Sequence, residues 1–238
     1  MAFAPNAATA QYIDSLGPAA LEKAHHYTIG KEWMLLWAVV VAAIVTWLIV
    51  RSRLLDRLEA RFGEKPRNVS ALVIGFVYFV ISAILMLPWS IYADWWREKS
   101  YGRTEQPFSD WLLQLGIGTL VSAVIGGIFL MGVYWLIRRA GKRWWIWSGG
   151  LVAIGFAFVA LLSPVLIEPL FNHYTAVPPG QVRDAVVDMA GRAGVPPERV
   201  FMYNGSRQSN NFTANAGGVG STARVAISDV AFKNATLD

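Results

Sequence analysis

Residues 161–172 read Leu-Leu-Ser-Pro-Val-Leu-Ile-Glu-Pro-Leu-Phe-Asn, and this stretch divides the chain. The residues before it read as membrane protein, and those after it as a small water-soluble α/β piece. Pro164 and Pro169 sit where an apolar helix has to stop. Proline lacks an amide donor and clashes with the preceding turn, so a closely spaced pair marks a helix exit. Glu168 is the first acidic residue after a long uncharged run. The expected fold class is therefore mainly α: a transmembrane bundle of about four helices, followed by a small α/β module.

Composition agrees. Of the 238 residues 55% are hydrophobic and only 16% charged, which separates the chain from ordinary soluble enzymes. The net charge of +5 is uneven. Arg and Lys crowd into two short loops between apolar segments, the pattern of an orientation signal and not of a nucleic-acid surface. No nucleic-acid partner is expected. Cysteine is absent, which excludes disulfides, a thiol nucleophile and Cys-ligated metal.

Residues 1–32 form a polar, amphipathic segment without the architecture of a signal peptide, and retention is expected. Ala19–Tyr27 is expected as a short amphipathic helix. His25 and His26 lie in it, but neighbouring helix positions diverge by about 100°, so a metal there needs further ligands; they are read as surface residues. The membrane domain is expected over 33–171, with spans at about 33–50, 69–93, 111–137 and 144–165. Between the first two, acids interleaved among Arg51, Arg53, Arg57, Arg61, Lys65 and Arg67 predict helical ion pairs. Residues 94–110 are expected as a polar loop. The third span carries Ser122, Ala123, Gly126, Gly127 and Gly132, small residues that let a helix approach closely. No span contains Asp, Glu, Lys, Arg or His, which disfavours an ion-coupled transporter.

The soluble module is expected over 172–238. Pro178-Pro179-Gly180 opens a helix to about Ala193, with Val182, Ala185, Val186 and Met189 on one face. Val200–Tyr203 and Arg224–Ser228 read as strands, and Phe212–Gly217 as a poorer one. Gly217–Ser221 reads as a turn, since no phosphate-loop Lys-Ser or Lys-Thr follows it. Ser228 or Asp229 caps a following helix. His173 has the chemistry of a ligand or base but is read as an interfacial polar residue. No Gly-x-Ser-x-Gly and no His-Glu-x-x-His occurs, so the residues themselves compose no complete catalytic site.

Several stretches resemble, in order, the CAAX prenyl endopeptidase family of membrane zinc metalloproteases. They are Tyr92 through Pro107, with Arg97-Glu98-Lys99 and Tyr101-Gly102; Ala140-Gly141-Lys142-Arg143-Trp144-Trp145; Ile167-Glu168-Pro169-Leu170-Phe171-Asn172; Gly205-Ser206-Arg207; Asn215-Ala216; and Ile227-Ser228-Asp229. The resemblance implies a gluzincin, in which two histidines of His-Glu-x-x-His and a later Glu bind zinc, and the motif's own Glu acts as general base. It implies that the helix starting near Asp229 leads into that motif. The expectation is thus an N-terminal portion, truncated before the zinc motif, with zinc implied but its ligands absent, inactive alone. No catalytic or metal residue carries over. Asn215 and Ala216 carry over as a substrate-binding edge strand that pairs with an extended peptide; an ordinary hairpin strand is the alternative.

The resemblance also implies a lipid bilayer and a peptide or protein substrate as partners, and one helix more than the four counted. An integral place in a bacterial inner (plasma) membrane is expected. The side of the module stays open: the basic loops put it outside by the positive-inside rule, the resemblance puts it in the cytosol. Two other functions compete. One is a naturally truncated, non-catalytic membrane partner that docks through the small-residue face of the third span; the other is a small channel or transporter.

Overall fold

The structure, a computed structural model, describes residues 7–62, 67–218 and 223–234. The chain through Leu48 forms one unit and the chain from Ile49 a second.

The first unit is helical, with α1 (Ala7–Ser15) followed by α2 (Gly17–Arg51). Gly17 joins them at φ +76°, a left-handed value that suits glycine. Pro18 stands in the first turn of α2, where no intrahelical amide bond is lost. At 35 residues α2 is about 52 Å long at 1.5 Å per residue, against a hydrocarbon core of about 30 Å. The surplus is its polar front, which carries Glu22, Lys23, Lys31 and Glu32. Ala19–Tyr27 is therefore helical but not a separate short helix. It is the front of the first span, because nothing between Tyr27 and Trp33 breaks the helix.

In the second unit Arg53, left-handed at φ 51°, turns the chain into α3 (Leu54–Ala60). The helical ion pairs expected over 51–68 do not form among the described residues. The pair Arg53–Asp56, three residues apart, is lost because Arg53 stands ahead of α3 in a left-handed conformation, and Glu64, three residues from both Arg61 and Arg67, lies outside the described residues. Next comes α4 (Arg67–Ser90), with Pro88 inside. Proline cannot donate to the carbonyl four residues back, and just beyond it Ile91–Trp96 winds as a wider π-turn. α5 (Arg97–Ser100) continues the same run. More than half of the expected 94–110 loop is thus helical, and the connection that remains is 101–107.

α6 (Phe108–Ala140) and α7 (Trp144–Leu162) are joined at Gly141, whose φ of 53° and ψ of −127° belong to no helix. Three helical runs are long and apolar enough to cross a membrane, 17–51, 68–100 and 108–162. The third is folded at Gly141 into two legs, with Gly132 packed on Leu151, so four apolar legs result. The small residues of α6 meet the chain's own helices: Gly127 lies against the backbone of Leu72 and Phe76, and Gly126 under the ring of Phe79. That face is not free for a partner, a correction to the expectation that it offers a docking surface. α7 ends at Leu162, and the turns Ser163–Ile167 and Glu168–Leu170 carry the chain out through Pro164 and Pro169, as the prolines require.

The module is a sheet of order β1-β2-β4-β3, formed by β1 (Tyr174–Ala176), β2 (Val200–Tyr203), β3 (Ala214–Gly217) and β4 (Arg224–Ser228). β2 and β4 run parallel; β1 and β3 are antiparallel edges. α8 (Gln181–Arg192) covers one face, and its Ala190 joins Val177, Val195, Val200, Ile227 and Ala231 in the core. Of the expected packing face only Val186 meets this core, together with Val187, while Met189 stays 58% exposed. The flank of Val182, Ala185 and Met189 instead borders an open groove of about 460 Å³ beside Ala214 and Ala216. α9 (Asp229–Asn234) starts where Ser228 Oγ accepts from the Ala231 amide at 3.1 Å. The expected 217–221 turn lies largely outside the described residues.

Candidate functional site

The arrangement with most chemical potential is the edge strand β3. Ser228 N–H donates to the Thr213 carbonyl at 2.8 Å. That makes 213 and 228 a hydrogen-bonded pair, and Asn215 with Ala226 the next one. Asn215 therefore turns its backbone toward β4. Ala214 and Ala216, one residue out of phase, turn their N–H and C=O groups to the open edge. Alternation puts the Asn215 side chain on the sheet face of Ala226 and Arg224 and the methyl groups of Ala214 and Ala216 on the face of α8. All three residues are exposed. An edge with free, in-phase donors and acceptors can accept one more extended strand.

Two polar clusters tie this strand to the membrane half. In the first, the loop 204–210, just ahead of β3, is stitched to residues 102–110. Arg207 forks onto both carboxylate oxygens of Asp110, and Nε lies 3.1 and 3.0 Å from them. Gln106 Nε2 donates to the same carboxylate at 2.7 Å and Gln114 Nε2 at 3.1 Å. Thr104 Oγ1 donates to the Gln208 carbonyl at 2.7 Å, and the Asn210 amide to the Arg103 carbonyl at 2.8 Å. Thr104 and Gln106 are buried here, which no loop composition signals.

In the second cluster, Glu168 at the membrane exit accepts from the Tyr174 hydroxyl at 2.5 Å and from Arg224 Nη2 at 2.7 Å. The Arg224 guanidinium also lies 4.4 Å from the centre of the Tyr174 ring. Burial, then the hydrogen bond and charge of Glu168, push the Tyr174 phenol well above its ordinary value. Burial also pushes Tyr203 up. Glu168 is thus a structural anchor for the start of β4, opposite Gly217 at the end of β3.

The remaining sequence candidates do not converge. His25 and His26 sit 6.1 Å apart ring to ring, with exposed Glu22 3.7 Å from His26. His173 only donates its backbone amide, to Asn204 Oδ1 at 2.8 Å. Among the described residues no three His, Cys, Asp or Glu side chains come together. The donor set that zinc requires, three protein ligands converging on one point, is therefore not made by these residues.

The family model described as CAAX prenyl protease N-terminal, five membrane helices, matches residues 5–173. The chain belongs to the CAAX prenyl protease family. It is 28% identical over 159 residues to the uncharacterized metalloprotease YhfN of Bacillus subtilis, 66% of this chain and 37% of that one. It is 26% identical over 171 residues to the CAAX prenyl protease 1 homolog of Arabidopsis thaliana, 71% of this chain and 40% of that protein. With the probable CAAX prenyl protease 1 of Schizosaccharomyces pombe it shares 23% over 197 residues, 80% and 41%. The crystal structure of S. mikatae Ste24p superposes with a TM-score of 0.70 at 18% identity, over 86% of this chain and 49% of that one, a likeness of fold. The chain spans roughly two fifths of the length of these curated relatives.

This is a family of membrane metalloproteases, and the protein is an integral membrane protein. The family model counts five membrane helices where the described residues form four apolar legs, α2, α4, α6 and α7.

Proposed function

We propose that this chain is the membrane anchor and substrate-strand support of a zinc metalloendopeptidase of the CAAX-protease type, seated in a bacterial inner membrane. The observation that carries it is the register of β3, which leaves the backbone groups of Ala214 and Ala216 facing outward. An extended peptide pairs with those groups, and Asn215, on the opposite face, fixes it by a side-chain hydrogen bond. Strand pairing holds the scissile carbonyl rigid, which is the contribution of orientation to catalysis. Within the 238 residues no His-Glu-x-x-His occurs, so the role proposed for them is binding and orientation. The polar clusters around Asp110 and Glu168 hold the strand at a fixed place relative to the membrane exit.

The test is cross-linking of an extended peptide, carrying a photoreactive residue, to the protein in lipid nanodiscs. Labelling is expected on β3. Ala216→Pro removes one outward amide without breaking the ladder to β4, which proline tolerates on an edge. The loss of one hydrogen bond, about 1 kcal/mol, weakens binding roughly five- to tenfold. Labels mapping to another element, or full affinity in Ala216→Pro, overturn the proposal.

A further inference from the structure

The two ends of the helix bundle differ in how their cations are used. At the end that carries the module, Arg97 and Arg103 lie 3.8 and 3.1 Å from the Glu98 carboxylate, Lys99 lies 5.1 Å from the Trp95 ring, and Arg207 holds Asp110. At the opposite end Arg51, Arg53, Arg57 and Arg61 surround α3. Arg138, Arg139, Lys142 and Arg143 surround the α6–α7 turn. Only Asp56 and Glu59 oppose them among the described residues of these two loops. None of the eight cations forms an ion pair among the described residues. The two loops are close: Arg138 donates to Asn68 Oδ1 at the start of α4.

Between them lies a cavity of about 450 Å³, bounded by α3, α4 and α6. Below it the helices close tightly, since a methyl group at Gly75 would stand 3.2 Å from Gly127 Cα and 3.1 Å from Leu130. The cavity wall is apolar, with Ala71, Ile74 and Leu130, and it becomes polar toward Tyr134, Glu59 and Arg138. An apolar slot that opens toward Arg138 between two loops rich in unpaired cations matches an amphiphile with an anionic head. We propose that this cavity is the seat of one anionic phospholipid. Its phosphate lies against Arg138 within the field of the two basic loops, and the upper part of its chains packs on Ala71 and Ile74. Glu59 at the rim opposes the anion and matches Arg138 one to one in the lining; the surplus lies in the two loops, where eight cations face Asp56 and Glu59 among the described residues.

Native mass spectrometry of the whole chain, released from micelles containing equal phosphatidylglycerol and phosphatidylcholine, tests this. One phosphatidylglycerol per chain is expected, in clear excess over phosphatidylcholine. One basic side chain near a charged headgroup is worth about a factor of five, so Arg138→Gln lowers retention about fivefold, while Arg138→Lys keeps most of it. Ala71→Phe fills the slot without touching charge and lowers retention similarly, with Ile74→Trp as the second filling variant should the first not fold. Arg192→Gln, on the exposed face of α8, leaves retention unchanged. Equal retention of the two lipids overturns the proposal. So does normal retention in both filling variants, which means diffuse attraction to a charged surface, and so does normal retention in Arg138→Gln, which means an uncharged occupant.

Discussion

Ser228 and Asp229 show how much a single turn can carry. The Ser228 hydroxyl caps α9 through the Ala231 amide and also accepts from the Thr213 amide at 3.3 Å, so it binds the helix and the edge strand together. It is 1% exposed. Ser228→Ala is expected to cost about 1 kcal/mol from the lost cap, read as a lower thermal midpoint of the module. Asp229 is pushed up by burial, but hydrogen bonds from the Ser206 hydroxyl and amide and from the Val230 amide outweigh this, and with Lys233 they hold its carboxyl below the ordinary 3.8. A depressed carboxylate contributes stability that is present above its ordinary value and is lost as pH falls through the folded one. Acid titration should therefore loosen the 205–207 turn at a pH below 3.8, and Asp229→Asn should remove that transition. Tyr174 behaves oppositely. Its phenol is raised, so its contribution is complete below pH 10.0 and is lost as pH climbs beyond that value. Ultraviolet absorbance of the phenolate, followed with unfolding, reads this directly. A Tyr174 that ionises at its ordinary value refutes the burial and the Glu168 contact.

Among the elements, the α4–α6 pair is the most sharply specified. A methyl group on Gly127 would stand 3.0 Å from the Leu72 carbonyl oxygen and 3.3 Å from the Phe76 nitrogen, and backbone cannot swing aside. Gly127→Val is expected to destabilise the bundle by about 1–3 kcal/mol through overpacking. Gly149 on α7 has nothing within 4 Å of such a methyl group, so Gly149→Ala should be neutral or stabilising by up to about 1 kcal/mol. Thermal unfolding in detergent measures both, and equal effects would refute the packing. Small residues at helical spacing announced this close approach in the sequence, but not which neighbour meets them. The same limit explains α8. Its periodic face was legible, yet packing is set by where the helix lies over the sheet, and that shifted the core contacts from Met189 to Val187 and Ala190. The front of α2 reads as a separate segment in the sequence because polarity marks where a helix leaves the bilayer, not where it ends. β2 and β4 were legible as apolar runs, whereas the Asp110–Arg207 and Glu168–Arg224 pairs join residues too far apart in sequence for any local pattern to show.

On the scale of the molecule, the apolar legs alternate in direction from α4 onward. The 101–107 connection and the module therefore share one end, and the α6–α7 turn occupies the other. The lack of cysteine makes this easy to measure. Glu105→Cys and Lys142→Cys, each a lone thiol, should react with an impermeant reagent from opposite sides of sealed vesicles. Labelling from one side refutes the hairpin at Gly141. Whichever face each occupies, the loop in front of β3 is fastened by Gln208 and Asn210 to the connection between two membrane helices, and by Arg207 to the first turn of α6. Such a fastening acts as a height gauge. If the edge strand takes a peptide as proposed, this fixed seating lets a polypeptide rooted in the same membrane lie along it only when its tether is neither too short to reach nor so long that its local concentration falls.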